Sequence, residues 1–171
     1  MTRKYQASWD DGTEAENAYV KALEGDESGL YKFLRHATTS EDMMQHWDLK
    51  FRCGGSPLLS DVKSHRHKYR HGPLLEGFFV VEWKNVAGKK GWILGEADEI
   101  AYEYYDDFYV FNRQELMNYT FMITDFSKKV TKFFDCVNCI YQRKDRKDQM
   151  TLVKISGLLE SVPHEIFPKI K

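Results

Sequence analysis

The chain has 171 residues, is 42% hydrophobic and 30% charged, and carries a net charge of −1. It is long enough to bury a core without cross-links, and too balanced in charge to coat nucleic acid by whole-molecule attraction. No apolar run approaches the ~20 residues that cross a bilayer, "MTRKYQASWDDG" contains no signal-peptide core, and three cysteines suit a reducing compartment better than a disulfide framework; one cytoplasmic domain is expected.

In chain order, Ala15, Ala18, Tyr19, Ala22 and Leu23 recur at helical spacing and predict a helix over 13–23, started by Asp11 or Thr13 and ended by Gly25. A second helix is predicted over 29–37, with Leu30, Phe33 and Leu34 on one face. "HWDLKF", "LLSDVKS", "GFFVVEWKN", "DEIAYEY" and "DFYVF" are short, rich in β-branched and aromatic residues and bounded by turn formers, and predict strands. Phe126, Val130, Phe133, Val137 and Ile140 step by 4, 3, 4 and 3 and predict an amphipathic helix. "MTLVKI" reads as a last strand and "SGLLESV" as a short closing helix. Helices before and after a block of strands give an α/β or α+β chain, a sheet with helices packed on it.

The stretch from His46 to Gly72 holds two Asp-x-Lys triplets around Gly54-Gly55. A two-residue hairpin turn at the glycines, where positive φ costs little, pairs residues whose numbers add to 109. Asp48 then lies opposite Asp61, with Cβ atoms about 4.5–5.5 Å apart, and alternation puts Lys63 on the same face. Two carboxylates that close repel unless a positive charge lies between them. Mg²⁺ typically takes one or two carboxylates plus water and phosphate oxygens, so this set suits metal-assisted phosphodiester hydrolysis. A solvated, charge-paired strand face is the plain alternative. "VVEWK" supplies a second set, Asp61 with Glu82 and Lys84.

The pattern Asp48…Asp61-Val62-Lys63 resembles the PD-(D/E)XK nuclease superfamily, which has the restriction-endonuclease-like fold. The run Val80 to Glu103 is similar to a group of small phage-type proteins of that superfamily. Their pattern is matched here by His46-Trp47-Asp48, Asp61-Val62-Lys63, Glu82, Asn85, Gly91-Trp92 and Ala97-Asp98; Trp47 stands where the superfamily often has proline. The resemblance implies a central mixed sheet flanked by helices and a Mg²⁺- or Mn²⁺-dependent nuclease acting on DNA rather than RNA, in the host cytoplasm if phage-encoded. It implies Asp48 and Asp61 (or Asp61 and Glu82) as metal ligands, Lys63 positioning water, and a first-helix glutamate assisting. Glu16 matches that position best and Glu14 is the alternative. Many members act as homodimers. The rival expectation is a non-catalytic protein of the same fold that binds nucleic acid or a host protein.

Between Val62 and Leu75 there is no acid, while Lys63, Arg66, Lys68 and Arg70 supply fixed positive charge and Tyr69 a stacking ring. This run is either a phosphate-tracking segment or a solvated loop. Cys136-x-x-Cys139 lacks a second Cys/His pair at zinc spacing and reads as buried thiols. Gly91 and Gly95 read as bends flanking a buried Trp92. Asp98 is open between capping, bending and reaching the site.

Overall fold

The computed structural model describes residues 3–65 and 75–170, residues 3–11 by their backbone alone. The order is α1 (Arg3–Glu24), β1 (Tyr31–His36), α2 (Thr39–Gln45), β2 (Leu49–Cys53), β3 (Ser56–Lys63), β4 (Phe78–Lys84), β5 (Glu99–Tyr104), β6 (Asp107–Asn112), α3 (Arg113–Ile123), β7 (Asp125–Val130), β8 (Cys139–Tyr141), β9 (Gln149–Lys154), α4 (Ile155–Ser161) and β10 (His164–Pro168). The architecture is mixed α/β. Sequence reasoning takes the chain as one domain; its contacts gather into two compact units, one around each sheet.

The first unit holds a six-stranded sheet ordered β1-β2-β3-β5-β6-β10, antiparallel except where β3 runs parallel to β5. Helix α1 packs on β1, β3 and β10. Its inward face, Ala15, Tyr19, Ala22 and Leu23, meets Leu49, Phe51, Val62, Ala101 and Phe108 in one core. Tyr19 is central: its ring lies 5.0 Å from Phe108 and 6.1 Å edge-on from Phe51, and its hydroxyl donates to Glu99 at 2.8 Å, so the buried phenol is satisfied. Glu99 also accepts from Ser60 Oγ at 2.5 Å.

The second unit holds a four-stranded sheet ordered β4-β9-β8-β7, with β7 and β8 parallel. Leu152, Cys136 and Cys139 form its core with Phe78, Val80 and Phe133 around them. Trp83 is buried beneath Phe126 and Phe121, at 5.0 and 6.2 Å. Trp92 is buried in a 3-10 turn, Trp92–Leu94, bounded by Gly91 and Gly95 as expected. A Cβ on Gly91 would stand 2.2 Å from the Glu82 carbonyl oxygen, so only glycine lets the two backbones approach.

Two predicted helices are strands. Over 29–37 the chain forms β1, which pairs with β2; Tyr31 and Phe33 alternate inward while Leu30 and Leu34 are exposed. The period was two, and so short an apolar run fits either template. Over 126–140 the chain forms β7, a 3-10 turn at Phe133–Asp135 and β8; Phe126, the first residue of the supposed buried stripe, is exposed. Helix α1 extends ten residues before the predicted start, and α2, α3 and β10 were not foreseen. No helix is long and apolar enough to cross a membrane among the described residues.

Candidate active site

The hairpin between β2 and β3 is the structural origin of the site. Gly54 and Gly55 both have positive φ, 55° and 96°, the signature of a two-residue turn whose twist matches the strands. Pairing runs Leu49↔Ser60 through Cys53↔Ser56, the register whose next step faces Asp48 with Asp61. Asp48 continues the ladder through its amide, which donates to Ser60 O at 2.9 Å. Its carboxylate Oδ2 accepts from the Val62 amide at 2.7 Å, which lays the side chain along β3.

Asp61 is 1% exposed. Its Oδ1 accepts from Lys63 Nζ, two residues along the same face. Its Oδ2 is buried, with no hydrogen-bond donor on it among the described residues. Burial pushes the Asp61 carboxyl well above the usual range; Lys63 draws it down, and the close approach of the facing Asp48 carboxylate raises it again. The arrangement thus calls for a positive charge between the acids, whether a shared proton or a cation. On the neighbouring strand β5 the phenol of Tyr102 is buried and raised by desolvation, then by the Asp61 charge.

Two helices bring further carboxylates to this end of the sheet. Glu16 of α1 makes a 3.2 Å contact with Nδ1 of His36 at the end of β1; burial, then the Asp48 charge, raises its pKa. Glu14, two residues earlier on α1, is exposed. Asp42 of α2 is raised by burial and by Asp48, and lowered by Lys63 and His46. Helix α2 is firmly placed: Thr38 and Glu41 form a reciprocal capping box, and Arg35 pairs with Glu41 at 2.7 Å. The Arg35 guanidinium also lies 4.9 Å over the Trp47 ring, and Ala37 N donates to Asp48 O at 2.7 Å. Carboxylates from α1, α2, β3 and the residue before β2 are therefore linked through Asp48, which acts on Glu16, Asp42 and Asp61, while Lys63 acts on Asp42 and Asp61.

Asp42 is the member that sequence reasoning missed. The signal was the Thr38-x-x-Glu41 capping box, which starts a helix with Asp42 in its first turn. Glu82 and Lys84 lie on β4 in the second unit's sheet, where a register shift between them takes Trp83 out of the ladder. Asp98 extends the β3–β5 pairing by one residue: its Oδ2 accepts from Leu59 N and its own amide donates to Leu59 O, both at 2.8 Å. Arg66, Lys68, Tyr69 and Arg70 lie outside the described residues. Both CxxC thiols are buried and donate to backbone carbonyls, Cys136 to Phe133 O at 2.8 Å and Cys139 to Asp135 O at 3.3 Å; burial pushes the Cys136 thiol up to about 11.

No group of three or more His, Cys, Asp and Glu side chains among the described residues is spaced to hold a metal ion. The Asp48–Asp61 pair nevertheless fits an ion that keeps most of its waters and needs only one or two carboxylates: it offers two facing acids and a buried oxygen without a donor. Compared with family models, curated proteins and solved structures, the chain matches none.

Proposed function

We propose that the protein is a Mg²⁺- or Mn²⁺-dependent nuclease that hydrolyses phosphodiester bonds, DNA being the substrate favoured by the resemblance to the PD-(D/E)XK superfamily. The observation that carries the reading is the buried, donor-less Oδ2 of Asp61 beside the Asp48 carboxylate, with a lysine on the other oxygen. A buried carboxylate left half satisfied destabilises the fold, so it is better explained by a ligand than by structure alone.

Asp61 and Asp48 are the metal ligands in this reading. The Val62 amide fixes one oxygen of Asp48 and leaves the other for the ion. When bound, such an ion acidifies a water molecule and neutralises charge building on the phosphate. Lys63, tethered by Asp61, keeps its ammonium at the site edge, where it orients the attacking water against the phosphate. Glu16, held by His36, stands next to Asp48 and assists in binding the outer waters of the ion.

Plasmid nicking in Mg²⁺ and in Mn²⁺ tests the proposal. Cleavage that disappears in EDTA and on Asp61→Ala is expected. A folded protein that binds nucleic acid or a partner tightly yet cleaves in neither metal would replace the enzyme by a non-catalytic binder.

A further inference from the structure

The second unit carries a cleft that the carboxylate site does not use. Because β7 and β8 run parallel, both chains leave the sheet at the same end, and Gln142 N donates to Val130 O at 3.0 Å to tie them together there. The residues that follow line an open cleft of about 240 Å³: Lys129, Val130, Thr131, Gln142, Arg143 and Lys144. That is smaller than the roughly 300–1,000 Å³ of sites that enclose a drug-sized ligand, and three of its six lining residues are cationic.

Arg143 is a built part of this cleft. Its guanidinium pairs with Asp148, which is 0% exposed, while the arginine side chain keeps 33% of its surface open. Asp148 Oδ1 and Arg143 Nε are buried without a hydrogen-bond partner among the described residues. A buried pair satisfied on one side only is poor value for stability. It does hold a guanidinium fork in one orientation beside an open groove, which lowers the entropy lost on binding an anion. Around it the charge is lopsided. Across residues 125–148 there are seven Lys and Arg and four acids, Asp125, Asp135, Asp145 and Asp148, the last already paired with Arg143, in a chain whose net charge is −1.

We propose that this cleft binds the phosphodiester backbone of a nucleic-acid strand. A single phosphate would satisfy the Arg143 fork and its two neighbouring lysines, whereas the segments that line the cleft also carry Lys128, Lys132, Arg146 and Lys147 next to the lining residues in sequence, enough cations for more than one phosphate. A strand that repeats its charge along its length uses cations on both flanking segments, as point-charge phosphate contacts. The site lies at the end of β7 and on the segments that follow β7 and β8, and it requires no metal. It therefore stands whether or not the carboxylates of the first unit cleave anything.

The test is a fluorescence-anisotropy titration of the full chain with a labelled single-stranded oligonucleotide in EDTA, over a range of salt. Wild type is expected to bind with an affinity that falls linearly in log–log form. Lys129→Gln/Lys144→Gln, which leaves the Arg143–Asp148 pair intact, should weaken binding roughly tenfold or more at low salt and flatten the salt slope by about 0.7 for each lysine removed. Arg143→Gln should weaken it as well, with thermal melting checking that it is folded. An unchanged affinity and slope in the double lysine variant would overturn the proposal. So would displacement of the oligonucleotide by an equal concentration of inorganic phosphate, which would mark a simple anion site. Binding in EDTA and metal-dependent cleavage are read as separate quantities, so the failure of either proposal is seen by itself.

Discussion

Replacing Asp61 by asparagine should make the metal-free protein more stable. The side chain is 1% exposed, one oxygen accepts from Lys63 and the other has no donor. Asparagine keeps the shape and one acceptor for Lys63, and it offers its amide N–H toward the Asp48 carboxylate. An unsatisfied buried acceptor costs about 1–3 kcal/mol, which this change recovers. Against it stands the weakened contact to Lys63, whose side chain is 28% exposed and so resolvates readily; a pair this accessible is worth about 0–1 kcal/mol. The balance is a gain of about 1 kcal/mol or slightly more, or about 2–4 °C for a chain of this size. Metal reverses the order. A ligand that binds only the folded state at a hundred times its Kd adds about 2.7 kcal/mol, and this falls to wild type alone. Thermal melting of both proteins in EDTA and in excess Mn²⁺ measures all four quantities. A variant that melts lower in EDTA, yet rises with Mn²⁺ as much as wild type, would refute both the strained carboxylate and its role as ligand.

Lys63→Met should lower cleavage by about 10²–10⁴-fold, the usual contribution of a positioned acid–base group, whereas Lys84→Met should leave it intact; the opposite outcome in initial-rate assays would move the site to Glu82 and Lys84. Glu99 is half-buried under Tyr19 and Ser60, and burial raises its pKa. The unfolded chain therefore releases this proton first, and stability falls as pH rises from the ordinary glutamate value through the raised one. Glu99→Gln should remove that part of the slope in urea melts taken across pH, and parallel curves for the two proteins would count against it. Gly91→Ala should lower the unfolding free energy from urea melts by about 1–3 kcal/mol or more, since the new methyl meets backbone at Glu82 and threatens the 2.9 Å bond from Gly91 N to Trp83 O; an unchanged midpoint would contradict the close approach.

What could be read from the sequence was whatever a few adjacent residues decide. Two glycines with φ > 0 fix a hairpin and hence its register, so the facing of Asp48 and Asp61 followed from counting. The apolar stripe of α1 was equally local, as was the bend at Gly91. Partners distant in the chain decided the rest. Residues 126–140 have helical spacing, but β8 and β9 supply a sheet edge for them to join, and Asn138 at φ 54° lets the chain turn back after the 3-10 turn. Leu30, Phe33 and Leu34 suggested a helix until β2 offered pairing to Tyr31 and Phe33. The capping box marks the helix that carries Asp42, but its place beside Asp48 depends on how Arg35, Thr38 and Trp47 dock α2, and no spacing rule contains that.

The outermost strand of the first sheet, β10, is encoded after the long excursion through α3, β7, β8, β9 and α4. During translation at about 5–20 residues per second, the ribosome adds the roughly fifty residues between β6 and β10 over some 3–10 s. Throughout that interval β6 is an open edge, with Phe108 lacking the Phe167 cover that completes the core, and open edges recruit other chains. Nascent polypeptides stalled before Phe167 should therefore be the aggregating species, and holding that edge is a natural task for a chaperone at the exit tunnel.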